Sequence, residues 1–316
     1  MSPIIFQIID WNEYNESIIL DYDEETGQNV ESIKYTIRIY GRDQNNKSVF
    51  VNIEDFKPYF FIKIPDNWTD ATVRKCIIQI KKDVYKNAKE DLFKYEIILG
   101  KEFYGFTNEK EFKFLKLIFN NIRAFYAYEK VIDTKDNYID LFDKPTKFQI
   151  YESNIKPFMR FIHEKDLLSC GWIKIEKYSK AYISYCDISI RTNWDNIEFY
   201  ENQTIQQFII ASYDIECTSA SGKFPVAQID EDYITQIGTV FQRYGEPEPY
   251  LKHIITLKGC NKHFKGLEDV EVESYNTEKE VLLAWKNLIL RTDPDIITGY
   301  NINGFDFKYI YDRAVK

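Results

Sequence analysis

The sequence predicts a chain of mixed class, α/β and α+β: a β-rich amino-terminal domain over residues 1–205 and a strand–helix α/β domain over 206–316. Three observations carry this. The segment Glu31–Tyr40 alternates, with Ile33, Tyr35, Ile37 and Ile39 on one face and Lys34, Thr36 and Arg38 on the other, the period of a half-buried antiparallel strand. The run Phe208–Ile215 is nearly continuous in apolar, β-branched and aromatic residues, as in a strand covered on both faces of an α/β sheet, and it ends in acids. A second apolar run, Asp295–Tyr300, is reached through an amphipathic helix, so right-handed crossover sets it parallel to an earlier strand.

Composition narrows the function classes. A length of 316 residues with 44% hydrophobic content favours two domains with large cores. No apolar run reaches the length of a membrane span, and the Met-Ser-Pro start lacks the flanks of a signal peptide, so an intracellular setting and no membrane partner are expected. Five cysteines without a Cys-x-x-Cys pair and three histidines without ligand spacing argue against zinc. The net charge of -9 excludes a general basic coat for nucleic acid. It splits into -5 over 206–316 (17 acids, 12 bases) and -4 over 1–205 (33 acids, 29 bases), so neither half is polybasic.

In chain order, Pro3–Ile9 and Ser17–Leu20 read as short strands, and Gly41–Asn46 as a turn between the alternating strand and Val49–Ile53. Pro58–Ile64 is a further strand. Thr69 or Asp70 can cap a helix with Val73, Cys76, Ile77, Ile80 and Val84 on its apolar face. Tyr95–Phe106 is extended, and Glu109–Tyr128 reads as a helix with Phe112, Leu115, Phe119 and Ile122 on one stripe. Tyr151–Phe161 suits a helix start, since Asn154 or Lys156 precedes Pro157 and proline is tolerated in a first turn, and Gly171–Glu176 and Ala181–Arg191 read as strands. Aromatics interleaved with lysine, as in Phe112–Lys116, could stack on bases, but at this spacing core packing is the better reading.

Beyond the polar boundary Glu201–Gln207, the order is three strands, a helix, a strand and a helix. Tyr233–Phe241 and Tyr250–Leu257 form a hairpin across Tyr244–Pro247. Thr277-Glu-Lys-Glu280 is a capping box for the helix carrying Val281, Ala284, Trp285 and Leu288. Asn303-Gly304 turns the chain into a last helix with Phe307, Ile310, Tyr311 and Ala314 as its core stripe.

The acids then fall at one end of the sheet. Asp214 and Glu216 share a face of their strand, and Asp306 opens the last helix just past the carboxyl end of the second parallel strand, where open α/β sheets bind ligands. Such hard oxygen ligands suit Mg²⁺ or Mn²⁺, and a metal pair there can stabilise both the attacking water and the leaving oxygen of a phosphodiester. Each motif alone also has a plainer reading: an acid favoured by a helix dipole, and a solvated turn.

Tyr213-Asp-Ile-Glu-Cys217, followed by Gly222–Pro225 and Ile234–Gly238, resembles the first exonuclease motif of family B DNA polymerases, in their delta-like and large-DNA-virus branch. Asp293–Asp306 with Tyr309 and Arg313-Ala314 resembles the second motif. Pro58–Ile62, Tyr151–Ile155 with Arg160-Phe161, and Gly171-Trp172 resemble the same family's amino-terminal domain. The resemblance implies a ribonuclease-H-like 3′-to-5′ exonuclease fold within a DNA-directed DNA polymerase, a nucleotidyltransferase of DNA replication. It implies Asp214, Glu216 and Asp306 as catalytic metal ligands for a Mg²⁺ or Mn²⁺ pair, with Asn301 and Phe305 helping to place the terminal nucleotide. Its implied partners are DNA (a single-stranded 3′ end and a primer-template), a sliding clamp, and the remaining polymerase segment as a separate chain. The implied site of action is cytoplasmic or nuclear, or a viral factory, and abundant Ile, Asn, Lys, Tyr and Phe fit an AT-rich viral genome. The third exonuclease motif, which would bring a fourth carboxylate, and the polymerase motifs are not in this sequence. The exonuclease domain is therefore expected to be truncated before motif III, with an open sheet edge and little or no nuclease activity in the isolated chain. The alternatives are a non-catalytic half of a split polymerase and a stand-alone exonuclease of the same acidic class.

Overall fold

The structure, a computed structural model, describes residues 2–23, 28–102, 105–134, 139–141, 144–260 and 268–316. It divides into two units, Met1–Gln203 and Thr204–Lys316.

In the first unit the elements run β1 (Ile4–Asp23), β2 (Gln28–Asp43), β3 (Ser48–Glu54), β4 (Tyr59–Lys63), α1 (Asp70–Asp83), α2 (Lys86–Lys89), β5 (Leu92–Lys101), β6 (Glu111–Phe119) and α3 (Ile122–Asp133). There follow β7 (Ile139–Leu141), β8 (Lys144–Thr146), β9 (Ile150–Tyr151), α4 (Pro157–Glu164), β10 (Trp172–Ile175), β11 (Ser179–Lys180), β12 (Ile188–Asn193) and β13 (Ile197–Phe199). They build a seven-stranded sheet, β11-β12-β3-β2-β1-β10-β13, a four-stranded sheet, β5-β6-β4-β9, and the β7-β8 pair.

The alternating segment lies in β2 as expected, with Tyr35, Ile37 and Ile39 buried in the core of the larger sheet. The two short strands expected before it are one continuous strand, because β1 stays paired with β2 through bulges at Ile8/Asp10 and Ile19/Asp21. Gly41 belongs to β2, not to a turn: a Cβ there would lie 2.0 Å from the Gln7 carbonyl oxygen, so the bulge needs glycine. The turn follows, where Asp43 Oδ1 accepts the amides of Asn45 and Lys47 at 2.9 and 2.8 Å. Residues 181–187 are irregular, and only Ile188–Arg191 of the expected Ala181–Arg191 strand pairs, parallel to β3, in a strand that runs on to Asn193.

The helix expected over Glu109–Tyr128 is a strand followed by a shorter helix. In β6 Leu115, Leu117 and Phe119 face α1 and α3, while Phe114 and Ile118 are also buried from the other side, so the two-residue period is masked and a helical stripe appears by coincidence. Asn121 ends the ambiguity. Its side chain accepts the amide of Ala124 at 2.9 Å, capping α3, and donates to the Ile33 carbonyl at 3.1 Å. Aromatic packing fills this core: Phe60, Phe119, Phe125 and Tyr128 form one cluster. In the Phe112–Lys116 segment, Phe114 is buried against Tyr151, and Lys63 stands 3.9 Å over the Phe112 ring.

The second unit contains β14 (Ile209–Cys217), β15 (Ile234–Arg243), β16 (Leu251–Leu257), β17 (Glu271–Tyr275), α5 (Glu278–Thr292), β18 (Ile296–Thr298) and α6 (Asp306–Val315). Its sheet runs β17-β16-β15-β14-β18. The β14-β15-β16 meander is antiparallel, while β18 lies parallel to β14 with Ile210 opposite Ile296 and Ser212 opposite Thr298. The sequence reading lacked β17, whose mixed Glu-Val-Glu-Ser-Tyr text carries no clear period and which pairs parallel with β16. The capping box forms as expected: Thr277 accepts the Glu280 amide and the Glu280 carboxylate accepts the Thr277 amide.

Two expectations about burial change. β14 is not covered on both faces: Ala211, Tyr213 and Ile215 are buried with Val281, Trp285 and Leu288 of α5, while Ser212, Asp214 and Glu216 are exposed. The core stripe of α6 is also rotated, because the helix docks through Tyr309 and leaves Phe307, Tyr311 and Ala314 exposed.

Candidate metal centre

β14 and β18 pair only as far as Ser212 and Thr298. Past that point no strand among the described residues pairs with this edge of β14, and the first residue of α6 comes beside it. Gly299 lets the chain turn there, since a Cβ on it would fall 2.4 Å from the Tyr213 carbonyl oxygen. Asp306, the first residue of α6 and 2% exposed, then accepts the amide of Ile215 through Oδ1 at 3.3 Å.

This places a carboxyl beside the end of β14. Burial raises the pKa of Asp306 against the pull of backbone amides, and the neighbouring Asp214 carboxyl adds to the rise. Glu216 is exposed two residues along on the face of Asp214. It is not drawn into the pair: among the described residues no three His, Cys, Asp or Glu side chains converge as they would around an ion. Beneath the acids Tyr213 packs its ring on Trp285 at 5.0 Å and Phe307 at 5.3 Å. Its hydroxyl is buried without a partner and its pKa is pushed up, by burial first and then by Asp306 and Asp214.

The donor set fits a hard divalent cation. Two neighbouring carboxyls, one of them buried, repel when both ionise, and a cation between them removes that cost. The nearby thiol does not fit a soft metal. Burial, then the charges of Glu278, Asp306 and Glu216, push Cys217 up to about 12, so it stays protonated at neutral pH.

The two residues expected to place a nucleotide differ in setting. Asn301 is exposed, with φ 56°, and its carbonyl accepts the amides of Gly304 and Phe305 at 2.9 and 3.0 Å, so it shapes the turn into α6. Phe305 is half-buried between Tyr309 and Phe224, at ring distances of 5.0 and 4.7 Å.

Phe224 had no assigned role in the sequence reading. It stands 70% exposed on the loop after β14, an apolar ring that nothing in a solvated loop requires, and that oddity was the available signal. Missed also was the network holding this loop. Buried Asp232 accepts the amides of Ala220 and Val226 at 2.7 and 2.8 Å, and these bonds hold its carboxyl below the usual range. Tyr309 donates its hydroxyl to the Asp232 carbonyl at 2.6 Å, and Arg313 pairs with Glu278.

Known proteins resemble this chain. A sequence model described as DNA polymerase family B, exonuclease domain, matches residues 148–316. A DNA polymerase of Acanthamoeba polyphaga mimivirus is 37% identical over 325 residues, covering 98% of this chain and 18% of the relative. The DNA polymerase delta catalytic subunit of Arabidopsis thaliana is 30% identical over 324 residues, covering 98% of this chain and 28% of the relative. Among solved structures, the family B DNA polymerase of Pyrobaculum calidifontis superposes with a TM-score of 0.63 at 17% identity, over 99% of this chain and 32% of that one. The chain thus spans less than a third of the length of these polymerases.

The mixed five-stranded sheet with α5 and α6 lies wholly within the stretch that the exonuclease-domain model matches. The chain belongs to the family B DNA polymerases.

Proposed function

We propose that the second unit is the 3′-to-5′ proofreading exonuclease region of a DNA polymerase, acting on single-stranded DNA 3′ ends, and that residues 1–205 are the polymerase's amino-terminal domain. The observation that carries this reading is the buried Asp306 carboxyl, held by the Ile215 amide beside Asp214 at the end of β14, with no Lys or Arg paired to either acid among the described residues. Asp214 and Asp306 would hold a Mg²⁺ or Mn²⁺ ion, with Glu216 turning in from the same face. When bound, a metal pair supplies Lewis-acid stabilisation of the attacking and leaving oxygens of a phosphodiester. The protein's part is positional. The amide of Ile215 orients the Asp306 carboxyl. Phe224 and Phe305, an exposed ring against a half-buried one, offer a face on which the terminal base stacks. Asn301 fixes the turn that delivers Asp306.

Incubation with a 3′-labelled single-stranded oligonucleotide and Mn²⁺ tests this. The reading requires binding of the 3′ end that depends on the metal and is lost in Asp214→Ala. Binding that is equal with and without metal, or unchanged in that variant, would refute it.

A docking role for a further polymerase segment is favoured by one feature. β18 has only three residues and, among those described, pairs on one side only, with β14. An edge so short and so close to the acids is where another segment would complete the sheet.

A further inference from the structure

We propose that Arg313 is a positioning residue: it latches the 218–233 loop, and through it Phe224, onto the helix that carries Asp306. The inference rests on the exonuclease reading for its consequence in DNA binding, but the latch itself is a property of the fold.

Four hydrogen bonds engage all three nitrogens of the Arg313 guanidinium, and its side chain is 6% exposed. Nε donates to Glu278 Oε1 at 2.9 Å, and one terminal nitrogen meets Glu278 Oε2 in a close ion pair. The other terminal nitrogen donates to two loop carbonyls, Ala227 at 2.9 Å and Ile229 at 2.8 Å. Glu278 in turn accepts the amide of Ile234, the first residue of β15, at 2.8 Å. One turn of α6 earlier, Tyr309 fixes the loop's far end at the Asp232 carbonyl. The loop, which runs from the strand of Asp214 and Glu216 to β15, is therefore pinned by two residues of the helix that begins with Asp306 and by Lys316 at that helix's end, which donates to the Gln228 carbonyl at 2.8 Å. Only a planar, five-donor group reaches a carboxylate and two carbonyls at once; an ammonium has no such fork. Substrate contact falls to Phe224, which lies in the same loop between the bonded amides of Ala220 and Val226, and Arg313 acts through it.

The test uses Arg313→Lys in the full chain, with two readouts. The first is amide hydrogen exchange without DNA. The amides of Ala220 and Val226, bonded to Asp232, should exchange on the order of tenfold faster, about 1.4 kcal/mol in opening free energy, while that of Ile237 in the middle of β15 keeps its rate. Unchanged rates at Ala220 and Val226, or acceleration at all three sites alike, would overturn the latch. The second is an oligonucleotide with 2-aminopurine at its 3′ end, bound in Ca²⁺. Arg313→Lys should lose the same share of fluorescence quenching as Phe224→Ala, and the double variant should lose no more than Phe224→Ala alone. Losses that multiply in the double variant, or full quenching in Arg313→Lys, would show that Arg313 does not act through Phe224. If the unaltered chain fails to bind the oligonucleotide, the exonuclease reading fails, and the exchange rates still decide the latch. Should Arg313→Lys not fold, Tyr309→Phe removes the second pin and is read in the same way.

Discussion

Two groups of neighbouring carboxylates in this chain differ in what answers their charge. In the first unit Glu16 and Glu54 converge on Arg191, which donates to them at 2.9 and 2.7 Å, and Asn52 lies against both. In the second unit Asp214 and Asp306 converge on each other, and no Lys or Arg pairs with either among the described residues. The chain pairs acids elsewhere in that same unit, Glu278 with Arg313 and Asp312 with Lys308. The exception lies where two parallel strands part. Paired acids tie elements together; an acid pair without a cation costs stability and is expected where an ion will be bound.

The comparison can be broken most severely at Glu278. Glu278→Ala leaves Arg313 buried with its main partner gone, and should cost about 3–5 kcal/mol of unfolding free energy in urea titration. A cost below about 1 kcal/mol would mean that the pair is not structural. Tyr309→Phe leaves the Asp232 carbonyl without its hydroxyl donor and should cost roughly 1–2 kcal/mol by the same measurement. At the partly exposed Arg191, truncation to Met should cost only about 0.2–1 kcal/mol, because water screens Glu16 and Glu54.

The acid pair should respond to pH with the opposite sign to a paired acid. The pKa of Asp306 is raised in the folded state, so the folded protein holds that proton more tightly than the unfolded chain. Metal-free stability from this group is therefore greatest at or below the ordinary carboxylate range and falls as pH rises through the raised value. Asp232, held low by two amides, has the reverse dependence: its contribution is present above the ordinary range and lost as pH falls through its depressed value. Asp306→Asn should flatten the first dependence and stabilise the metal-free protein above it, as thermal unfolding across a pH series would show.

Much of this was legible in the sequence, for local reasons. The Thr277–Glu280 capping box and Pro157 at a helix start are short-range signals that form where the text puts them. The alternation of Asp214 and Glu216 follows from strand geometry alone. What stayed hidden depends on packing. β6 is buried from both sides and so imitates a helix, and α6 docks through Tyr309 and Arg313, whose polar ends are spent on a loop. An apolar stripe of Phe307, Tyr311 and Ala314 is the natural guess when such bonds are invisible. The unpaired state of Asp214 and Asp306 could not be read either, since it depends on which cations the fold brings near.

Manganese titration followed by electron paramagnetic resonance tests the central claim most directly. The chain should bind Mn²⁺, and Asp214→Ala should weaken that binding by more than about 100-fold, beyond the usual cost of losing an outer-shell partner. Glu54→Gln, at the paired acids, should leave it unchanged. Equal Mn²⁺ binding in both variants would contradict the assignment of Asp214 and Asp306 as the acids that await an ion.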